Sequence, residues 1–297
     1  MILVTGGTGF IGRSLIRALI NSGEKVRVLL RPSQDSPNFP RGVAVEVAVS
    51  SFSDQRSLRA ALKDVDVLYH LASAERKGLK GNLNQVDVEG TATLMRACRD
   101  SDVKRVLFIS HHGADRGSAF PVIKAKGIAE NWIINSGVPY TIFRTGAVFG
   151  PGDQFTEPIT RMLKLTPIVF FVPGEGASLL QPLWVEDLVT CLLLASEDEK
   201  MANRVLPIGG IESLSYAEIL KTIMNQTGIK RSLVSLNPDA LRRLTLYIDQ
   251  VYRRLPISIY WLDELAMDRI TSLDVIPREF GIIPARFKHQ LDYLKKE

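Results

Sequence analysis

The sequence predicts an α/β fold, a doubly wound parallel sheet carrying a smaller C-terminal α/β lobe. Three observations lead there. A glycine loop, Thr5–Gly12, follows directly on a short apolar run at the N-terminus. Short apolar runs then alternate with helix-period segments through the first half of the chain. The runs are apolar on both alternating positions, as strands covered on both faces are.

The elements follow in order. Ile2–Thr5 reads as the first strand and Phe10–Ser22 as the first helix, with Ile11, Leu15 and Leu19 on one face. Lys25–Leu30 and Val43–Val49 are the next two strands. Ser53–Leu62 opens on Ser-Asp, a helix start. Asp66–Ala72 is a strand, Val86–Arg99 a helix, Arg105–Ser110 a strand, Val122–Ser136 a helix and Tyr140–Thr145 a strand. Beyond Gly150 the rhythm changes. PGDQF is a loop, Glu157–Leu165 a helix, Thr166–Pro173 an extended run, Val185–Ser196 a helix, Arg204–Ile208 a strand and Tyr216–Thr227 a helix capped by Ser213–Ser215. Helical patterns dominate from Asp239. The expected division is residues 1–150 as a dinucleotide-binding domain and 151–297 as a smaller substrate or partner lobe, with some elements returning to the first sheet.

Bulk composition narrows the function classes. The chain has 297 residues, 45% hydrophobic and 23% charged, an ordinary globular balance. The formal charge of +5 is spread along the chain without a basic run or an aromatic-interleaved patch, which argues against nucleic acid and leaves an anionic cofactor open. Cys98 and Cys191 stand alone, without metal-ligand spacing. No apolar run reaches the roughly 18 residues of a membrane span, and a cytoplasmic location is the expectation.

The glycine loop carries the first functional signal. In TGGTGFIG, Gly6 permits a tight turn, Gly9 lets a pyrophosphate approach the backbone, and Gly12 lets helix and strand pack closely. The helix N-terminus behind it offers amide N–H groups to phosphate. The second strand ends at Arg31, where a binder of unphosphorylated dinucleotide places an acid for the ribose 2′-OH. Arg31 pairs instead with a 2′-phosphate, with Arg13 nearby to assist, so NADP(H) is favoured over NAD(H).

An ordered series of motifs resembles the extended and atypical short-chain dehydrogenase/reductases. His70–Ala72 (HLA) ends the fourth strand; VDVEGTATLM (Val86–Met95) is similar to that family's "vNveGTxnll" helix; FRTGAVFGPGD (Phe143–Asp153), QPLWVEDL (Gln181–Leu188) and IGGIESLSYAEIL (Ile208–Leu220) follow in the family's order. The nearest subgroup is the NmrA-like set, together with the complex I accessory subunit of this fold. The resemblance implies a Rossmann sheet with NAD(P) at the strand C-termini. By matched position, Gly6, Gly9, Phe10, Ile11 and Gly12 line the pyrophosphate, Arg31 the adenine ribose, and Leu71, Ala72 and Ser73 the middle of the cofactor. Ser110, Lys126 and Arg144–Ala147, with Thr145 among them, approach the nicotinamide side. Two departures stand out: Ser51 replaces an acid after the third strand, and Asp87 replaces an Asn.

The family's catalytic set is incomplete. It pairs a Tyr acid/base with a Lys one helical turn later, which draws the phenol from about 10 toward neutrality. Here Lys126 has Val122 at that position, and Lys124 has Phe120. The run Ser110-His111-His112 puts His112 in the usual serine slot. Lys126, His111 and His112 are therefore the catalytic candidates, the histidines as replacement proton donors, and Lys126 also as a ribose ligand. The other role for Lys126 is an exposed ion pair with Glu130, four residues on. Asp115, Arg116 and Gln154 are candidates for substrate contact, and His70 reads as a buried structural residue.

Two functions from different classes remain: an NADPH-dependent reductase without the usual tyrosine, acting on a quinone-like or conjugated acceptor, and a non-catalytic dinucleotide-binding subunit, assembly factor or redox sensor. A third segment bears on partners. Leu241, Leu244, Ile248, Val251 and Leu255 recur at helical spacing, flanked by Arg242, Arg243, Arg253 and Arg254, with Ile257–Leu262 beyond. It is either a lobe helix or a docking surface for a membrane or protein partner.

Overall fold

In the computed structural model residues 1–32, 44–251 and 259–296 are described. In chain order the elements are β1 (Ile2–Thr5), α1 (Phe10–Asn21), β2 (Val26–Leu30), β3 (Glu46–Val49), α2 (Gln55–Ala61), β4 (Val67–His70), α3 (Gly90–Arg99), β5 (Arg105–His111), α4 (Pro121–Ile134) and β6 (Tyr140–Thr145). Then come β7 (Val148–Phe149), α5 (Thr156–Leu165), β8 (Val169–Pro173), β9 (Leu179–Leu180), β10 (Leu183–Trp184), α6 (Val185–Glu197), β11 (Arg204–Ile208), β12 (Leu214–Ser215), α7 (Tyr216–Thr227), β13 (Ser232–Leu236), α8 (Pro238–Val251), α9 (Ile259–Glu264) and α10 (Val275–Phe280).

The chain forms two compact units. The first comprises Met1–Glu75, Asn82–Arg144 and Leu188–Pro207; the second comprises Arg76–Gly81, Thr145–Asp187 and Ile208–Glu297. A seven-stranded sheet in the order β11-β6-β5-β4-β1-β2-β3 organises the first. β1 pairs in parallel with both β2 and β4, β2 with β3, and β4 with β5. Strand alternation sends Leu3, Leu68 and Val106 to one face, where Leu58, Leu62, Leu94, Met95 and Ile133 from α2, α3 and α4 close a core. Tyr69 points the other way, and its hydroxyl donates to the Leu192 carbonyl of α6 at 3.4 Å. Each of these fully buried side chains contributes about 2 kcal/mol relative to exposure.

The glycine loop is fitted against the sheet. Gly6 has φ 72°, and a Cβ there would lie 2.6 Å from the Leu71 carbonyl carbon. Gly12, in the first turn of α1, would place a Cβ 2.4 Å from the Gly6 carbonyl oxygen. These two close approaches set the loop between the end of β4 and the start of α1.

Some expectations need correction. The helix expected over Val86–Arg99 begins earlier, as a π-helical turn at Asn84–Glu89, before α3 continues it. The strand expected from Val43 is observed only as Glu46–Val49; Ala44 and Val45 are outside it, and residues 33–43 lie outside those described. β13 was not expected. Its sequence SLVSL is short and half-exposed, and it gains its strand from parallel pairing with β8. The basic amphipathic segment is observed as α8 up to Val251; Arg253, Arg254 and Leu255 lie outside the described residues.

The second unit has its own core of Phe149, Phe155, Ile159, Tyr216, Ile219, Phe287 and neighbours. Asp153 of the GPGD loop accepts from the backbone amides of Gly150, Phe155 and Glu157 and from the Thr156 hydroxyl, so it caps α5. Gln154 donates to the Asp153 carbonyl. Ser215 and Glu218 form a reciprocal capping box at α7. Among the described residues no helix is long and apolar enough to cross a membrane.

The glycine contacts give a direct test. Gly12→Ala is expected to cost about 3 kcal/mol in urea denaturation, through overpacking against backbone. Gly23→Ala, at φ 80° with nothing within 4 Å, should cost only the left-handed strain of about 1–2 kcal/mol.

Candidate functional site

The site is assembled at the C-terminal ends of β1, β4 and β5, starting from one buried imidazole. His70, the last residue of β4, is fully buried. Its Nδ1 lies 2.8 Å from the Thr5 hydroxyl at the end of β1, and its Nε2 lies 2.9 Å from the Thr91 hydroxyl on α3. Thr91 donates its one proton to the Asp87 carbonyl at 2.6 Å. Thr91 therefore accepts from Nε2–H, and Nδ1 accepts from Thr5, which in turn receives the Ala72 amide at 3.4 Å. Burial first, and Lys126 second, push the His70 imidazole down to about 3, so it is neutral. Phe108 stacks on its ring at 5.4 Å.

This chain fixes the π-helical turn that carries Asp87. The Asp87 side chain is 2% exposed. Its Oδ2 accepts the Ala74 amide at 2.9 Å, while Oδ1 has no hydrogen-bond partner and lies 3.5 Å from Lys126 Nζ. Lys126, 5% exposed on α4, donates to the Ile109 carbonyl at 3.3 Å and sits over the Phe108 ring at 5.1 Å. The expected exposed pair between Lys126 and Glu130 does not form. Glu130 is buried and takes a bidentate contact from Arg144 on β6, at 2.9 and 2.6 Å. Val122, in the tyrosine position, is buried.

A second pair joins the ends of β4 and β5. His111 Nε2 lies 2.9 Å from Glu75 Oε2. Burial acts to raise the Glu75 carboxyl, but the neighbouring His111 and then Lys126 outweigh it and hold the group at about 2. Glu75 was not singled out in the sequence; it stands in a turn, 36 positions from its partner, with no motif around it. Ser110 and His112 are buried on either side of His111.

The remaining candidates divide. Phe10, Ile11 and Gly12 form the first turn of α1, whose N-cap is Gly9 with no side-chain cap and no acid in the first turn. Their amides have no intrahelical acceptor and suit an anion. Arg13 donates to the Thr8 carbonyl at 2.9 Å and ties down the glycine loop. Arg31 is exposed just past β2. Leu71, Ala72 and Ser73 follow β4, the Leu71 amide donating to the Thr5 carbonyl of β1 and the Ser73 hydroxyl accepting from the Glu75 amide. Thr145 is buried at the end of β6. Asp115 and Arg116 are exposed in the loop before α4, Asp115 bonding the Gly117 amide and Arg116 reaching Asn131. Among the described residues no cluster of metal-ligating side chains is present.

A protein-family model described as NAD(P)H-binding matches residues 6–160, which include the loop glycines, the Lys126–Asp87 and His111–Glu75 pairs and α4. The chain belongs to this NAD(P)H-binding family. Its place is with the atypical short-chain dehydrogenase/reductases and the NAD-dependent epimerase/dehydratases. It is similar to sterol demethylase protein B of Methylococcus capsulatus, 31% identical over 281 residues that cover 85% of this chain and 82% of that protein. It is similar to the ceramide reductase of Caulobacter vibrioides, at 26% identity over 99% of this chain and 94% of that protein. Its fold matches the NADPH-dependent quinone oxidoreductase of Escherichia coli complexed with NADPH, with TM-score 0.76 and 16% identity, covering 99% of each chain.

The neutral buried His70 links folding to pH. Its folded value of about 3 lies below the unfolded 6.5, so the unfolded chain takes up the proton first. The contribution is complete above pH 6.5 and is lost as pH falls from 6.5 toward 3, at up to about 1.4 kcal/mol per pH unit. Urea denaturation between pH 7 and 5 should show this slope in the native protein and a shallower one in His70→Gln.

Proposed function

We propose that the protein is an NADPH-dependent reductase of an apolar carbonyl or quinone-type acceptor, working without the family's tyrosine. The observation that carries this reading is the Lys126–Asp87 pair. An ammonium with one hydrogen bond is buried beside a carboxylate oxygen with none. Leaving both so under-satisfied is costly unless a ligand completes them. A ribose hydroxyl does so, accepting from Nζ and donating to Oδ1. The uncapped, acid-free start of α1 fits a pyrophosphate, so the residues present suit a dinucleotide.

Phe10, Ile11 and Gly12 would hold the pyrophosphate by their amides, Arg31 the 2′-phosphate, and Lys126 with Asp87 the nicotinamide ribose. The bound dinucleotide supplies a hydride. The chain supplies positioning, which by itself accounts for a large share of a barrier when reactants are held in register. Conjugated acceptors suit such a site because the oxygen they reduce becomes a weakly basic phenolate or enolate. Support for an apolar acceptor comes from the names of the relatives, a sterol demethylase component and a ceramide reductase, and from the quinone oxidoreductase of like fold. A second reading, a dinucleotide holder without turnover, is favoured by the one fact that Val122 has no hydroxyl.

Binding and turnover separate the readings. Purified protein is expected to bind NADPH and to oxidise it with menadione or an aromatic aldehyde; tight binding with no turnover leaves the holder, and no binding of either dinucleotide sinks both. Arg31→Ala should weaken NADPH about tenfold and leave NADH unchanged. Lys126→Met should weaken NADPH about tenfold but leave adenosine 2′,5′-bisphosphate unchanged, as measured by calorimetry, because that fragment lacks the nicotinamide ribose.

A further inference from the structure

Among the titratable groups at the sheet's C-terminal edge, the dinucleotide reading leaves one partly buried pair without a task. His111 and Glu75 are joined at 2.9 Å where β4 and β5 end, the edge of an open α/β sheet at which ligands bind. They lie beside the ribose-binding pair: Lys126 bonds the carbonyl of Ile109, two residues before His111, and its charge acts on Glu75. We propose that His111, held by Glu75, is the proton donor of the reduction and takes the place of the family's tyrosine, whose position is Val122 here. This inference rests on the reductase reading.

The geometry selects His111 over His112. His111 meets a carboxylate and keeps 16% of its side chain exposed, whereas His112 is buried at the position after β5. Glu75 is ionised throughout the physiological range, and a carboxylate at hydrogen-bond distance favours the imidazolium and fixes the ring. With Nε2–H given to Glu75, the transferable proton is on Nδ1, an atom buried by its surroundings, so the acceptor oxygen has to settle against it on binding. In the step, a bound dihydronicotinamide would supply the hydride that forms a C–H bond at the acceptor carbonyl carbon, and the C=O π electrons would move to oxygen. That oxygen takes the Nδ1 proton and becomes a hydroxyl. The dihydronicotinamide would thereby be oxidised; His111 would be left neutral with Nε2–H still on Glu75, and its Nδ1 proton would be replaced from solvent after the product leaves. Glu75 touches neither substrate nor cofactor and is a positioning residue.

The test uses full-length protein with NADPH and two probes, 4-nitrobenzaldehyde and menadione. His111→Gln should lower kcat for the aldehyde by about 100-fold with NADPH affinity unchanged. The loss with menadione should be smaller, because a hydroquinone anion is much less basic than an alkoxide. Glu75→Gln keeps a hydrogen-bond acceptor but removes the charge, and should lower kcat about tenfold at constant KM, which loss of a merely structural contact would not do. The native enzyme should also turn over the aldehyde more slowly in D2O, a measurement that stands if a variant fails to fold. Full aldehyde activity in His111→Gln, or no solvent isotope effect, overturns the inference and leaves the reductase reading intact. NADPH binding without turnover of either probe overturns both.

Discussion

A single neutral imidazole holds the site's three supports in register. His70 accepts a hydrogen bond from Thr5 and donates one to Thr91, so the end of β1, the end of β4 and the turn bearing Asp87 are tied by donors with only one consistent direction. A charged His70 would break that order, having no acceptor role left for Thr5, and would sit near Lys126 with no water to screen it. The glycine loop begins one residue beyond Thr5, and the segment Leu71–Ser73 begins one residue beyond His70. Both stretches assigned to the dinucleotide therefore hang on the same ring. The π-helical turn is part of this arrangement, since it brings the Asp87 carbonyl to Thr91 and the Asp87 carboxylate to Ala74 and Lys126.

Charge pairing beyond this point follows geometry rather than sequence spacing. Lys126 and Glu130 are one turn apart on α4, yet each finds a partner on another element. A guanidinium matches both oxygens of a carboxylate, so Arg144 takes Glu130 more completely than an ammonium can. Lys126 is left to turn toward Asp87, the Ile109 carbonyl and the Phe108 ring. In a sheet with a bare lysine at this place the site would carry an uncompensated positive charge. Here Asp87 compensates it.

The sequence was most legible where backbone geometry dictates residue type. Gly6 and Gly12 are glycines because any Cβ would meet backbone, and the strand–loop–helix reading follows from that alone. The parallel sheet was legible from short apolar runs alternating with helix-period segments, and the family from its ordered motifs. Side-chain partnerships were not. Asp87 was visible as a departure from the usual Asn, but its facing Lys126 required the fold to bring together residues from different helices. Glu75 was invisible, because a carboxylate in a turn gains meaning only from His111 on the neighbouring strand. β13 was missed because its stability comes from pairing with β8 and its own residues are half in water.

The missing tyrosine and the added carboxylate can be understood as one change. A phenol must be drawn several units below its ordinary value of about 10 to exchange protons near neutrality, and an uncompensated lysine is what draws it. Asp in place of Asn beside Lys126 cancels that pull, so a hydroxyl at position 122 would gain little. An imidazole starts near 6.5 and needs the opposite help, an anion that favours its protonated form. Glu75 is such an anion, kept ionised by His111 and Lys126 against the pull of burial. On the proposed reading Lys126 has two duties that do not require it to act on a phenol: completing a ribose site with Asp87, and holding Glu75 charged. On the proposed reading an anion-assisted imidazole does at these strand ends what a cation-assisted phenol would do, and the lysine serves either arrangement.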